Sequence, residues 1–191
     1  MREILHDDYL ALVVEKVVFE EDIREGNTKV EATIAPEGAS ADDPRRKPVK
    51  GAGVGVVDAF FRGLIAQNQS EYPSLRTLSF IGFSIDAKIA DSHERSHTDA
   101  VGEAKLVVEN QKGDHFEFAA ESRSIIAAAL QATLLAVEYF VNSERAFFTT
   151  RRALKDAEQR GRADLVRTFA ARLTELVQNT SYNEAIEAKK E

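Results

Sequence analysis

Apolar and polar residues alternate along several stretches of the chain, and a period of two predicts β-strands. In the segment that Asn27 opens, Val30, Ala32 and Ile34 alternate with polar residues, and a β-branched and aromatic stretch from Tyr9 to Phe19 precedes it. That first stretch is interpreted as a strand, with a helix as the alternative. Alternation returns in residues 75–89 and on both sides of the turn Asn110–Gly113. The positions expected to face inward are Val30, Ala32, Ile34, Ile81, Phe83, Ile85, Ala87, Ile89, Ala104, Leu106, Val108, Phe116, Phe118 and Ala120.

Two other stretches repeat a pair of apolar residues at every fourth position, which predicts helices with a broad apolar stripe. The first helix is expected over residues 56–68, after the glycine-rich turn Gly51–Gly55. The second is expected over residues 125–141, after Ser122 and Ser124, either of which can cap it. The paired positions are 56/57, 60/61 and 64/65 in the first helix and 125/126, 129/130 and 133/134 in the second.

The order strand, strand, strand, helix therefore occurs twice, and Glu31–Ile34 is predicted to correspond to Glu103–Leu106. A single helix covers one face of a three-stranded sheet, so each unit needs a partner for its remaining apolar surface. The sequence predicts an α+β fold in which two tandem β-β-β-α units, about residues 9–70 and 75–146, form one domain with pseudo-twofold symmetry over residues 1–146. The alternative is an ordinary α+β sheet in which the symmetry is coincidental.

Two segments depart from these patterns. Residues Pro36–Lys50 are polar, carry three of the four prolines, and are predicted to form a loop. Residues 147–191 are predicted to be a C-terminal α-helical extension, as one helix or as two hinged at Gly161, with a weakly ordered tail after Asn179. Basic side chains outnumber acidic ones up to that tail, which indicates a solvated or partner-docking helix surface.

Composition narrows the possible functions. The 191 residues carry a formal net charge of −7, which disfavours a general role on nucleic acid. The chain has no cysteine, so disulfides and thiolate metal sites are excluded. No apolar run is long enough to cross a bilayer, and the first residues lack the apolar core of a signal peptide. We therefore expect a cytoplasmic protein with no membrane and no nucleic-acid partner.

Three short motifs stand at the two helix starts and on one strand of the predicted fold. They are Gly53-Val-Gly-Val-Val-Asp-Ala59, Thr98-Asp-Ala-Val-Gly-Glu-Ala-Lys-Leu-Val-Val-Glu109 and Ser122-Arg-Ser-Ile-Ile-Ala-Ala128. In this order they resemble the regulatory domain of the 2-isopropylmalate synthase and citramalate synthase family, whose first helix entrance reads Gly-Asn-Gly-Pro-Val-Asp-Ala. Ala132 and Ala136 match later small-residue positions of that family, and the likeness covers roughly residues 10–145.

The resemblance implies a stand-alone, non-catalytic allosteric module that forms a homodimer and binds a branched-chain amino acid or a similar small carboxylate between its two units. It places the module in leucine biosynthesis, beside a separate partner enzyme. No enzymatic activity and no cofactor are implied, because the chain leaves no room for the catalytic barrel of a synthase. A glycine-rich turn before a helix offers N–H groups to a carboxylate. The ligand-binding residues expected from the resemblance are Gly53, Val54, Gly55, Asp58, Asp99 and Ala100.

Several residues depart from the pattern of that family. Val54 and Val56 stand where the family has Asn and Pro, and Ser124 stands in place of Asp. Phe118 and Ala120 occupy positions where glycines are usual. These replacements favour a second hypothesis, a structural or assembly protein that uses the same fold for oligomerisation without a ligand.

Three other patterns point to different chemistry. His93-Glu-Arg-Ser-His97 fits the zinc-peptidase motif, but its flanks are polar and no third ligand is indicated, so we expect an exposed loop and no metal site. Gly51-x-Gly-x-Gly lacks the Gly-Lys-Ser/Thr of a phosphate-binding loop and indicates a tight turn. The order helix, three strands, helix mimics a double-stranded-RNA-binding domain, yet the second helix begins with one basic residue, Arg123.

Overall fold

Each predicted unit forms a three-stranded antiparallel sheet followed by a helix in the computed structural model, which describes residues 1–88 and 101–188. The middle strand in sequence is the central strand of each sheet. The α+β fold, with two β-β-β-α units and a C-terminal helical extension, is therefore confirmed. In order, the elements are α1 (Arg2–Leu5), β1 (Leu12–Asp22), β2 (Asn27–Pro36), β3 (Lys47–Gly53), α2 (Gly55–Asn68), β4 (Ser79–Lys88), β5 (Val101–Glu109), β6 (His115–Ser122), α3 (Ile125–Gln159), α4 (Ala163–Asn179) and α5 (Asn183–Ala188).

The first strand of each unit carries a β-bulge at the same place. Val14 pairs with Ile34 just before the irregularity in β1, and Phe80 pairs with Val108 just before the irregularity in β4. By this register Ile34 corresponds to Val108, so the predicted correspondence with Leu106 is wrong by two residues. Two residues is one full strand period, and every side chain keeps its face.

The bulge also interrupts the inward row predicted along β4. Phe83 and Ile85 pair with Leu106 and Ala104, which are fully buried, yet Phe83 and Ile85 themselves remain 38% and 43% exposed. Ile81 stands at the bulge itself and is 46% exposed. Ile81 leaves the predicted row because the extra residue shifts the alternation. Phe83 and Ile85 keep the face of their buried partners and are exposed because β4 is an edge strand, away from α3 on β5 and β6. The predicted row also included Ile89, which lies outside the described residues.

The two long helices lie between the two sheets. Helix α2 packs on β2 and β3, helix α3 packs on β5, β6 and also on β1, and the two helices pack on each other. The paired apolar positions explain this arrangement, since Phe60 and Phe61 point in different directions around α2 and both are buried. The rings of Phe61 and Phe80 lie 6.1 Å apart and connect α2 to the sheet of the other unit. Both units therefore contribute to one hydrophobic core.

Two glycines allow α2 to approach β3 closely. A Cβ atom on Gly51 would lie 1.9 Å from the carbonyl oxygen of Ala59, and one on Gly63 would lie 2.8 Å from the carbonyl oxygen of Lys50. Backbone atoms cannot yield at such distances as a flexible side chain can. The glycine-rich stretch before α2 therefore serves the contact between helix and strand.

The loop predicted over Pro36–Lys50 is shorter than expected, because its last residues belong to β3. Val49 is 1% exposed and pairs with Ala32, so the strand adds an inward side chain to the core. Pro48 argued against a strand in the sequence, because proline cannot donate a ladder hydrogen bond. However, β3 is an edge strand, where proline is tolerated.

Helix α3 continues well beyond the predicted end at Val141. It runs without a break to Gln159, and the boundary placed between residues 146 and 147 falls inside it. The hinge at Gly161 is present, since this glycine has a φ of +67° and separates α3 from α4. In the second half of α3, apolar residues pack on a different set of elements.

A second, smaller core forms around the middle of α3. It joins Phe147 to Leu5 of α1, Leu176 of α4, and Tyr182 and Ala185 in the tail. The expectation of a weakly ordered tail is wrong for these residues, because the Tyr182 ring stacks on that of Phe147 with centroids 4.3 Å apart. Short apolar segments after a long helix are ordered when they find such a surface.

Contrary to the expectation that no apolar stretch is long enough to span a bilayer, helix α3 is long and apolar enough by length and composition alone. In the folded chain, however, 67% of its most apolar window is buried. A helix that is buried between other elements of a core can be as apolar as a helix that spans a membrane, so composition alone does not separate the two.

Candidate ligand site between the two units

Four of the predicted site residues meet at the first turn of α2. The Asp58 carboxylate accepts a hydrogen bond from the Val54 N–H at 2.9 Å. A Cβ atom on Gly53 would lie 2.3 Å from Oδ2 of Asp58, so only glycine leaves room for this carboxylate. Gly55 has a φ of +79°, a conformation that glycine adopts without strain. The other two predicted residues, Asp99 and Ala100, lie outside the described residues.

Two N–H groups of this turn, those of Val54 and Gly55, already have acceptors inside the protein. The Gly55 N–H donates to Oγ1 of Thr28, a fully buried residue, at 3.1 Å. The Val54 N–H donates to the Asp58 carboxylate. This carboxylate lies at the positive end of the helix dipole, where we expected the carboxylate of a ligand. Gly53, Val54 and Gly55 therefore shape the turn, and Asp58 serves as its anion.

A basic side chain joins this turn, although the sequence did not single it out. Nε of Arg62 donates to both carboxylate oxygens of Asp58, at 2.8 and 2.9 Å. The Arg62 side chain is 66% exposed, while that of Asp58 is 15% exposed. The spacing of four residues between an acid and an arginine on a helix is the signal that could have identified this pair.

The Asp58–Arg62 pair stands at the rim of a groove between α2 and the start of β4, which we call the first groove. Its volume is about 410 Å³. Its wall is apolar on both sides, with the Phe61 ring from one unit and the Phe80 ring from the other. The remaining lining residues are Ile65, Ala66, Gln69, Leu78 and Ser79.

A second groove, about 340 Å³ in volume, lies between the start of α3 and β1. It too combines the helix of one unit with the bulged first strand of the other, here around Val14, Lys16 and Val17. Ser124 caps α3 beside this groove by accepting from the Ala127 N–H at 3.3 Å. Each groove thus has an apolar wall and one basic side chain, Arg62 in the first and Lys16 in the second, and the carboxylates of Glu15 and Glu121 also line the second groove.

Two buried carboxylates on α3 lie outside these grooves. Glu138 accepts a hydrogen bond from the Leu12 N–H, which attaches the start of β1 to α3. Glu144 accepts from the N–H and the hydroxyl of Ser74, at 3.1 and 2.6 Å. Within the described ranges no group of three His, Asp or Glu residues could hold a metal ion. The His93 and His97 motif lies outside those ranges.

Replacing Glu138 with glutamine is expected to remove a pH dependence of stability. Burial raises the pKa of Glu138 to about 7, although the hydrogen bond from Leu12 opposes the shift. The folded state therefore holds a proton that the unfolded state releases near the ordinary glutamate pKa of about 4.3, and this stabilisation disappears as the pH rises from there to about 7. We expect the free energy of unfolding to fall through that window by about 1–2 kcal/mol more in the wild type than in Glu138→Gln.

Urea denaturation at a series of pH values measures this difference, and Glu175→Gln is the matched control because Glu175 is exposed. The control is expected to keep the slope of the wild type. Parallel curves for the wild type and Glu138→Gln would show that Glu138 does not titrate in this window.

Known protein families add no further identification of this site. No family model matches the chain, and a search of curated proteins finds no match either. The resemblance of three motifs to the synthase regulatory domain consequently stays a prediction, and the geometry of the grooves is the independent ground for a function.

Proposed function

We propose that the chain is a non-catalytic regulatory module that binds a small aliphatic carboxylate, of the branched-chain amino-acid class, in the grooves between its two units. The observation that carries this proposal is that both grooves combine the helix of one unit with the first strand of the other. A ligand in such a groove contacts both units at once. Its binding free energy therefore favours one arrangement of the units over others.

The chemistry of the first groove supports this ligand class. Apolar rings of Phe61 and Phe80 can contact an aliphatic side chain, and the exposed guanidinium of Arg62 can pair with a carboxylate. A volume of about 410 Å³ is at the lower end of the range typical of small-molecule sites. By the resemblance of its motifs, we expect the module to act in the cytoplasm as a homodimer, on a separate enzyme of leucine biosynthesis.

Calorimetry with leucine, isoleucine and valine tests the proposal. At a ligand concentration about one hundred times the dissociation constant, binding is expected to stabilise the fold by about 2.7 kcal/mol. Ala66→Leu fills the first groove from an exposed helix position and is expected to weaken binding by about tenfold or more. Ala170→Leu makes the same change at an exposed position of α4 and is expected to leave binding unaltered.

A structural or assembly role without a ligand is the second candidate function. Two hydrogen bonds favour this role, because they use N–H groups that a ligand would need. The Val54 N–H donates to Asp58, and the Gly55 N–H donates to Thr28. If the folded protein shows no heat of binding and no thermal shift with leucine, isoleucine or valine, the structural role is favoured over the ligand-binding one.

A further inference from the structure

The β1–β2 turn and the α3–α4 turn lie at opposite ends of the molecule. Strand β1 runs antiparallel to α3, since Leu10 exchanges two hydrogen bonds with Asn142 while Val17 lies beside the first turns of α3. The β1–β2 turn thus projects past the start of α3, and the α3–α4 turn lies at its other end. A helix of 35 residues spans roughly 50 Å, which sets the minimum separation of these two ends.

The first end, residues 18–25, is an acidic hairpin with exposed apolar side chains. Val18 is 57% exposed and Ile23 at the tip is 88% exposed. Four acidic residues accompany a single arginine in this short stretch. They are Glu20, Glu21, Asp22 and Glu25, beside Arg24.

The other end, residues 151–172, is a basic helical hairpin with a similar apolar surface. Two packed helices bury only one side of each, and apolar residues of this hairpin are accordingly only half-buried: Leu154, Leu165, Val166 and Phe169. Around them stand exposed basic side chains that form no ion pair in the described part of the chain: Arg151, Arg152, Lys155 and Arg167. Arg160 and Arg162 pair with Asp156 and Asp164.

We propose that two copies of this chain form an antiparallel dimer in which the acidic hairpin of each copy docks on the basic helical hairpin of the other. When two copies lie side by side in opposite directions, the acidic hairpin of each copy lies next to the basic helical hairpin of the other. The same contact therefore forms twice, which is the geometry of a closed twofold dimer. Exposed apolar side chains within a charged surround match the usual anatomy of an interface. The opposite charges fix the register of the two copies and accelerate their association.

This inference deepens the homodimer in the proposed function and does not depend on an effector. A second copy is the occupant favoured by charge, because the acidic hairpin of this chain complements its own basic one. A nucleic acid is disfavoured, since the chain as a whole carries a net charge of −7.

Reciprocal charge swaps test the dimer, with light scattering coupled to size-exclusion chromatography in the absence of any amino acid. One variant carries Glu21→Lys and Glu25→Lys, and the other carries Arg151→Glu, Arg152→Glu and Lys155→Glu, all at exposed positions. In each variant alone both docking ends carry like charge, and we expect its dimerisation to weaken by about tenfold or more. In an equimolar mixture both contacts again join opposite charges, and the mixed dimer is expected to form with the affinity of the wild type.

Several outcomes would overturn the inference. The first is a wild-type protein whose mass at high concentration is that of one 21.2 kDa chain. The second is a series of species larger than a dimer, which would show head-to-tail growth without closure. The third is a mixture of the two variants that contains only monomers. Circular dichroism of each variant confirms that the fold is intact. Because no amino acid is present, failure of the dimer leaves the ligand proposal standing, and failure of calorimetry leaves the dimer standing.

Discussion

Gly51→Ala is expected to destabilise the protein by about 3 kcal/mol, a large fraction of the stability of a typical domain. The added methyl group would lie 1.9 Å from the carbonyl oxygen of Ala59 and 3.0 Å from the backbone nitrogen of Gly63. Both atoms belong to the backbone of α2, so the whole helix must move away from β3. That movement opens the packing around Phe60, which is fully buried in the shared core.

Gly82→Ala is the matched control in the other unit. A methyl group there meets only the Val107 side chain at 3.5 and 3.6 Å, which is ordinary contact. Its effect is expected to stay within about 0.5 kcal/mol. Urea denaturation compares the two midpoints. Equal midpoints for the two variants would mean that α2 and β3 are not in close contact at Gly51.

Glu144→Ala is expected to cost about 3 kcal/mol as well. The carboxylate is fully buried and accepts hydrogen bonds from the N–H and the hydroxyl of Ser74, which lies in the connection between the two units. Removing it leaves two buried donors without this acceptor and opens a cavity beside α3. The variant therefore loosens the connection to the helix that carries the second core.

Ser74→Ala gives a graded comparison, because it removes the hydroxyl donor and leaves the N–H in place. Its cost is expected to be about 1 kcal/mol. Glu175→Ala, at an exposed position on α4, is expected to have almost no effect. The order of the three midpoints in urea is the measured quantity. A Glu144→Ala variant as stable as Glu175→Ala would contradict the role given to this carboxylate.

The fold could be predicted from the sequence where the pattern of apolar residues is long and regular. The paired positions along α2 and the first half of α3 fix their type, and they also explain why these helices contact both sheets. Strand β3 was required by the predicted order but was assigned to a loop, because it is short and contains Pro48, two features that edge strands tolerate. The bulge at Ile81 was missed because an extra residue in a strand leaves no local sign in the apolar pattern.

The candidate site was only partly predictable. The sequence indicated the turn at Gly53–Gly55 and the acidic residue Asp58, which the fold does bring together. It assigned the N–H groups of Val54 and Gly55 to a ligand, although they donate hydrogen bonds to Asp58 and Thr28 inside the protein. Phe80 could not be assigned to the first groove from sequence, since its position against α2 depends on how the two units pack.

The length of α3 has a mechanical consequence. One continuous helix borders the second groove with its first turns, passes through both cores, and ends in the basic helical hairpin. A hydrogen-bonded helix moves nearly as a rigid rod, so a tilt of a few degrees at one end displaces the other end, roughly 50 Å away, by several ångströms. If both proposals above hold, a ligand that tilts the first turns of α3 also displaces the remote surface on which a second copy docks.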